Sequence, residues 1–219
     1  MERVQNNEMS VPVGDLRKNF QGFAKIRVSS RCWIMAKFYE SIAPELQDFI
    51  HQQHLFFTAT AIATGRVNLS PKGIDTFRIL DDQTVAYLDL TGSGNETSAH
   101  LLIDPRMTIM FCGFEQKPWI VRLYGQGKTV RSGDADWDTL INHFELLPGT
   151  RQIIQIQVES AQSSCGMGVP TYEFQGHRTE LLEWSEKKGK DGIEQYWQDR
   201  NQISIDGLPT NIGQELTLS

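Results

Sequence analysis

The sequence has no long apolar run and no excess of basic residues, and we expect its first residues not to be a secretory signal. No apolar stretch approaches the roughly 18 residues of a membrane-spanning helix, so we expect no membrane segment. The formal net charge of -6 argues against a broad nucleic-acid-binding surface, which needs clustered Lys and Arg to contact phosphates. Residues 1–10 have no basic start followed by an apolar stretch, as a secretory signal would.

Cysteine is also scarce. Cys32, Cys112 and Cys165 are widely spaced, and an odd number cannot pair completely, so we expect a reducing, cytoplasmic compartment. Cys165 lies in a glycine-rich segment without an obvious neighbouring base, and we expect it to be unreactive. His51 and His54 are three residues apart, and we interpret them as a surface pair, so we predict no metal site.

Two parts of the chain differ in character. Residues 1–34 are polar, Gly14 and Gly22 interrupt any helix, and the apolar residues do not repeat at helical spacing. We expect residues 1–34 to be a loosely ordered tail, such as an upstream start codon would add. Residues 35–219 contain no linker or internal repeat, which predicts a single domain with a C-terminal helical region.

Most of this domain shows the alternation that is typical of β strands. Strands are predicted over residues 55–62, 66–70, 76–80, 84–90, 106–112, 119–130 and 151–158. Helical spacing occurs over residues 44–53, 95–103, 134–144 and 178–200, the last of these interrupted around residues 189–192. Because the first strands follow one another through short turns, we predict a mainly β, mostly antiparallel, barrel-like fold and not a βαβ sheet.

One predicted strand carries polar side chains on a single face. Asn68, Ser70 and Lys72 alternate along it, so they offer an amide, a hydroxyl and an ammonium group to one ligand. Pro71 removes a backbone donor and marks the edge or the end of the strand. The spacing fits both a ligand-binding strip and an ordinary solvated edge strand.

A glycine-rich loop follows about twenty residues later, and it consists of Thr91, Gly92, Ser93, Gly94, Asn95, Glu96 and Thr97. Two glycines let a ligand approach the backbone closely, and the predicted helix presents unpaired N–H groups to an anion at its start. The side chains of Ser93, Asn95 and Thr97 add donors. A capped helix without a ligand is the alternative, since Ser and Asn are common caps.

Together these segments resemble the FMN-binding half of the pyridoxamine 5′-phosphate oxidase-like family. The resemblance rests on residues 68–73, 86–97, 100–101, 109–112 and 122–125. Residues 164–170 and 205–209 are similar to an uncharacterised bacterial branch of that family. The resemblance implies a split β-barrel homodimer with flavin mononucleotide (FMN) at the interface.

By position, the resemblance also assigns roles to single residues. The strand with Asn68, Ser70 and Lys72 would run along the flavin and its phosphate, and residues 91–97 would hold the phosphate. His100 would face the same region, and Arg122 would approach the isoalloxazine ring or the partner subunit.

Two departures from the family limit what the resemblance implies. The family enzymes carry a Ser-Arg-Lys run in the phosphate loop, whereas this chain has Glu96 there, which weakens the electrostatic attraction for phosphate. Their C-terminal Arg-Leu-His-Asp-Arg segment corresponds to a different sequence at residues 198–202. We therefore expect no role in vitamin B6 synthesis.

These observations predict an FMN-dependent oxidoreductase that acts on an unidentified small molecule. Arg122 or Lys72 would stabilise the reduced flavin anion. No His or carboxylate stands out as a general acid or base, so no catalytic residue is predicted. A non-catalytic flavin-binding or sensing module stays open, as does a barrel that binds haem or a deazaflavin.

Overall fold

A computed structural model of the chain describes residues 36–115 and 117–213. The tail predicted over residues 1–34 lies outside the described residues. None of the helices in the described ranges is long and apolar enough to cross a membrane.

Strands make up most of the described chain. They are β1 (Lys37–Tyr39), β2 (Phe56–Thr60), β3 (Asn68–Lys72), β4 (Phe77–Ile79), β5 (Thr84–Leu90), β6 (Arg106–Cys112), β7 (Trp119–Val130) and β8 (Thr150–Cys165). The helices are α1 (Pro44–His51), α2 (Glu96–Leu101), α3 (Trp137–Ile141) and α4 (Glu180–Tyr196). A π-helical turn, Trp197–Asn201, continues directly from α4.

All eight strands belong to one curled sheet in which the pairing is antiparallel. The strand order is β3-β2-β6-β7-β8-β5-β4, and β1 adds to β8. Strands β3 and β4 end this path, so the barrel is split between them. The mainly β, antiparallel split-barrel fold predicted from the sequence is confirmed.

The hydrophobic core fills the inside of the curled sheet. Tyr87, Ile109, Leu123 and Ile154 are fully buried there, and each comes from a different central strand. The apolar stripe of α1 packs against the same cluster, as its helical spacing predicts. A smaller cluster on the other face of β5 and β8 packs against α3. Because β5 is buried on both faces, any polar residue within it needs a partner inside the protein.

The predicted elements differ from the observed ones mainly in extent, and β1 is a strand that the alternation does not predict. The helix predicted over residues 134–144 is only Trp137–Ile141, with turns on both sides. The strand predicted over 151–158 continues to Cys165, because its second half pairs with the first half of β7 beyond a register shift at Tyr124 and Gly125. The C-terminal helix begins at Glu180, and the interruption predicted around residues 189–192 is a kink at Gly189, whose φ of 65° lies in the left-handed region that favours glycine.

Candidate functional site

A cavity of about 630 Å³ lies between β3, the loop after β5 and the chain that follows the π-helical turn. Its lining residues are Asn68, Ser70, Pro71, Lys72, Asp89, Leu90, Gly92, Ser93, Gly94, Asn95, Glu96, Thr97, Arg151, Arg200, Ile203, Ser204 and Ile205. This volume is typical of small-molecule sites. We call this space the β3 cavity.

The β3 cavity brings together the two motifs that the sequence analysis singled out. Nine of the twelve residues predicted to bind the cofactor line it: Asn68, Ser70, Lys72, Gly92, Ser93, Gly94, Asn95, Glu96 and Thr97. Strand β3 and the loop are therefore neighbours in space although β4 and β5 separate them in the chain. The roles of these residues toward a cofactor stay predictions.

The other three predicted residues lie outside the lining of this cavity. Thr91 is buried, and its hydroxyl donates to the Gly149 carbonyl. His100 is buried on α2, with Nδ1 3.0 Å from the hydroxyl oxygen of Thr60. Arg122 lies on β7, where it donates to the Ser164 hydroxyl at 3.2 Å.

Asn68 uses its amide to hold the strip in place. Its Nδ2 donates to the hydroxyl oxygens of Thr60 and Thr97, at 3.1 and 3.0 Å. Its Oδ1 accepts a hydrogen bond from the Ser70 hydroxyl. Asn68 therefore connects β3 with β2 and α2, and Lys72 is the member of the strip that brings charge to the cavity.

A buried carboxylate lies next to Lys72. Asp89 is 2% exposed and accepts hydrogen bonds from Lys72 Nζ at 2.7 Å and from Arg151 Nη2 at 2.8 Å. Burial by itself would raise the pKa of Asp89, but Arg151 and Lys72 outweigh it and hold that pKa well below its usual range. Asp89 is therefore an anion that neutralises one of its two cationic partners.

The glycine-rich loop is held from the side of β8 and the π-helical turn. Arg151 Nη1 donates to the Gly94 carbonyl at 2.9 Å, and Asn201 Nδ2 donates to the Gly92 carbonyl at 3.1 Å. Arg151 Nη1 also donates to Asn201 Oδ1, which joins the two supports. Because these bonds occupy two carbonyl oxygens of the loop, the loop offers donors more than acceptors to the cavity.

Glu96 has a structural partner that the sequence did not indicate. Its carboxylate accepts the backbone N–H of Ile205 at 3.1 and 3.2 Å. Asp206, the next residue, forms an ion pair with Arg66 and accepts the Arg66 backbone N–H at 2.7 Å. Glu96 thus holds the C-terminal segment against the cavity, and the Ile205 N–H partly compensates the negative charge of its carboxylate.

The start of helix α2, beyond the loop, is a weaker candidate for anion binding than the sequence suggests. Helix α2 has only six residues, and Asn95 precedes it without capping it through its side chain. Asn95 Oδ1 accepts a hydrogen bond from Gln152 Nε2 instead. The capped-helix alternative is therefore wrong in its detail, and we assign no anion site to the start of α2 alone.

Five residues around the cavity were missed by sequence reasoning: Asp89, Arg151, Gln152, Arg200 and Asn201. A signal was present for some of them, because Asp89 stands between two leucines and Arg151 begins an isoleucine-rich strand. Charged residues in such strands are rarely buried without a partner. The pairing itself depends on the register of β5 with β8, in which Asp89 lies opposite Gln152.

Comparisons with known proteins agree on one family. The sequence model of the Pyridoxamine 5′-phosphate oxidase family matches residues 42–165. The Pyridoxamine 5′-phosphate oxidase family protein ustO of Aspergillus flavus is 35% identical over 193 residues, with 80% of this chain and 78% of that protein covered.

Two solved structures are also similar. HupZ of Group A Streptococcus is 24% identical with a TM-score of 0.43, covering 54% of this chain and 90% of that one. The FAD binding protein of Mycobacterium smegmatis is 17% identical with a TM-score of 0.42, covering 57% of this chain and 96% of that one.

Proposed function

The chain belongs to the pyridoxamine 5′-phosphate oxidase family, and from this premise we propose that it binds FMN in the β3 cavity and acts as a flavin-dependent oxidoreductase on a small molecule. The observation that carries the proposal is the donor-rich lining of this cavity. Lys72 and Asn95 line it, beside a loop whose carbonyl oxygens are bound by Arg151 and Asn201.

The donors present fit a ligand that carries a phosphate. Lys72 has three N–H donors and gives one of them to Asp89. Arg200 is exposed at the cavity and has no hydrogen-bond or ion-pair partner within residues 36–115 and 117–213. Three cations and two carboxylates line the cavity, a formal excess of one positive charge. This excess supports the binding of an anion despite the acidic Glu96.

The lining also favours a flavin over haem. The residues around the β3 cavity include no His, Cys, Met or Tyr, which are the usual axial ligands of haem iron. Hydrogen-bond donors at a backbone loop suit the polar groups of a flavin nucleotide instead. A barrel adapted to haem would need a ligand from outside this lining.

When bound, the flavin would supply hydride or electron transfer, and the protein would bind and orient it. Lys72 would bind an anionic group of the cofactor, while Asp89 keeps Lys72 and Arg151 in place. Ile203 and Ile205, which line the cavity, would reduce the access of water. Asp89 is ionised and fully engaged, so we assign no general acid or base to this chain, and vitamin B6 synthesis is not proposed.

We also propose that the protein is a homodimer with FMN at the interface. Val67 and Leu69, beside and on the edge strand β3, are 71% and 64% exposed, although both are apolar. Exposed apolar side chains along a sheet edge are suited to contact between subunits. Arg122, which lies outside the cavity lining, would then contact the partner subunit or its flavin.

The visible absorbance spectrum of the purified protein, before and after addition of FMN, tests the proposed function. We expect flavin bands in the bound protein, their loss in Lys72→Ala, and their retention in Lys128→Ala, which changes an exposed lysine that pairs with Asp136. Bleaching of the bands by a nicotinamide cofactor would support the oxidoreductase. Absence of FMN binding in the wild-type protein would refute the proposal, and binding without any reduction would leave a flavin carrier or sensor.

A further inference from the structure

Two amide side chains, those of Gln152 and Asn95, are hydrogen-bonded in series to the buried Asp89 at the β3 cavity. Ionised Asp89 only accepts hydrogen bonds, and its Oδ2 accepts one from Gln152 Nε2 at 2.8 Å. If the Gln152 amide were rotated by half a turn, its carbonyl oxygen would face the carboxylate and repel it. The charge of Asp89 therefore determines which end of the Gln152 amide faces Asp89 and Asn95.

The orientation of Gln152 determines that of the next amide in turn. Gln152 Nε2 also donates to Asn95 Oδ1, again at 2.8 Å. A rotated Asn95 would place its own amide nitrogen against Gln152 Nε2, and two donors would then face each other. Asn95 Oδ1 is therefore directed to Gln152, which leaves Nδ2 as the end of the amide that is free to donate.

That nitrogen has no partner in the described part of the chain. Asn95 is 2% exposed and lines the β3 cavity, and its Nδ2 is buried without a hydrogen bond to any described residue. Buried polar groups in folded proteins are nearly always paired, so an unpaired donor in a ligand cavity indicates an acceptor on the ligand. The unpaired guanidinium of Arg200 lines the same cavity, which favours a charged acceptor over a neutral carbonyl.

We propose that Asp89 and Gln152 act as a relay that orients Asn95, and that Asn95 Nδ2 binds a phosphate oxygen of the ligand. Asn95 then determines specificity for a phosphomonoester, and Gln152 is a positioning residue. The inference deepens the proposed FMN site, because it distinguishes FMN from riboflavin, which lacks the phosphate. Asn95 would then take the place of the basic residues that the phosphate loop of this chain does not contain.

Two substitutions separate the parts of this relay. Asn95→Asp keeps the shape of the side chain but replaces the donor with a carboxylate that repels phosphate. Gln152→Met keeps the length of the side chain but removes the hydrogen bond that orients Asn95. Asn142→Asp makes the same change of charge at an exposed position outside the cavity lining and serves as the control.

The dissociation constants of FMN and riboflavin, measured by flavin fluorescence, give the first readout. Because a hydrogen bond to a charged group is stronger than one between neutral groups, Asn95→Asp should raise the dissociation constant of FMN at least about tenfold. The dissociation constant of riboflavin should change less than about twofold. Gln152→Met should weaken FMN binding in the same selective way, but less. Equal losses for FMN and riboflavin, or no loss for either, would overturn the relay and leave the proposed FMN site standing.

The side-chain amide signals of Asn95 in ¹H–¹⁵N NMR spectra, assigned by their absence in Asn95→Asp, give a second readout that needs no flavin. Inorganic phosphate should shift these signals in the wild-type protein and not in Gln152→Met. If phosphate shifts them but FMN does not bind, the relay is supported and the proposed function fails. If inorganic phosphate does not shift them in the wild-type protein, the relay is refuted. Should Gln152→Met not fold, Asn95→Asp and the wild-type titration decide the question.

Discussion

At the scale of single residues, the site depends on one carboxylate that serves three donors. Asp89 accepts hydrogen bonds from Lys72, Arg151 and Gln152 while it is 2% exposed. A buried charge is costly unless it is paired and hydrogen-bonded, and here four hydrogen bonds reach the two carboxylate oxygens. The same carboxylate therefore stabilises the fold and orders the donors of the cavity.

Replacement of Asp89 by Asn should destabilise the protein strongly. Asn has the same shape but leaves Lys72 and Arg151 without a compensating charge, and loss of one partner of a buried ion pair costs about 3–5 kcal/mol. Urea denaturation at pH 7 measures this as a fall in the free energy of unfolding. Asp136→Asn, which removes the exposed partner of Lys128, should change it little. Equal effects of the two substitutions would contradict the role of Asp89.

The same ion pairs predict how stability depends on pH. The pKa of Asp89 is lower in the folded protein than in the unfolded chain, where an Asp side chain titrates near about 3.9. Its stabilising contribution is therefore complete above that pH and is lost as the pH falls toward the folded pKa. Denaturation curves between about pH 5 and pH 2 should show a steeper loss of stability for the wild-type protein than for Asp89→Asn. Parallel curves would contradict this prediction.

At the scale of elements, the π-helical turn Trp197–Asn201 supports the loop from outside the sheet. Trp197 Nε1 donates to the Thr91 hydroxyl oxygen at 2.8 Å, and Asn201 contacts both Gly92 and Arg151. Short π-helical turns are often found at functional sites, where they shift side chains out of the ordinary helical positions. The C-terminal helical region is thus part of the site and not only an addition to the barrel.

Asn201→Ala should loosen the loop without disrupting the barrel. It leaves the Gly92 carbonyl and one Arg151 donor without their partner, and each unpaired buried group costs about 1–3 kcal/mol. We expect a lower melting temperature together with FMN affinity reduced by roughly an order of magnitude, measured by calorimetry and flavin fluorescence. Gln198→Ala, at an exposed position of the same turn, is the control. Unchanged FMN affinity in Asn201→Ala would contradict a role of the π-helical turn in FMN binding.

At the scale of the whole molecule, the split in the barrel leaves an edge strand beside the cavity. Strand β3 pairs with β2 on one side, and Pro71 lacks the N–H that another strand would need at that position. A polar edge would be expected on a monomer, but Val67 and Leu69 are apolar and exposed. This combination favours side-chain contact with a second subunit over addition of another strand.

Leu69→Asp should therefore convert a dimer into monomers. Light scattering after gel filtration should give twice the chain mass of 24.9 kDa for the wild-type protein and the single-chain mass for Leu69→Asp. Leu146→Asp changes a leucine of similar exposure, 67% against 64%, at a position away from β3 and should stay dimeric. A wild-type monomer would refute the proposed homodimer, and circular dichroism would verify that both variants are folded.

Local pattern in the sequence was enough to predict the family, seven of the eight described strands and one half of the candidate site. A short, mostly apolar run identified β5 with its exact bounds, because a strand buried on both faces is nearly continuous in apolar residues. Alternating polarity placed Asn68, Ser70 and Lys72 on one face of β3, and the glycines identified the loop at residues 91–94. These features depend on residues within a few positions of one another, so the sequence alone determines them.

Only the tertiary structure decided how those parts are joined and oriented. Asp89 and Gln152 lie opposite each other because β5 pairs with β8 in one register, across 63 residues of chain. The partners of Glu96 and Gly92, Ile205 and Asn201, are each 109 residues away. Periodicity reports which face a side chain occupies but carries no information on the strand or turn that it meets. The direction of the Asn95 amide, on which the proposed phosphate contact depends, is therefore a property of the folded protein alone.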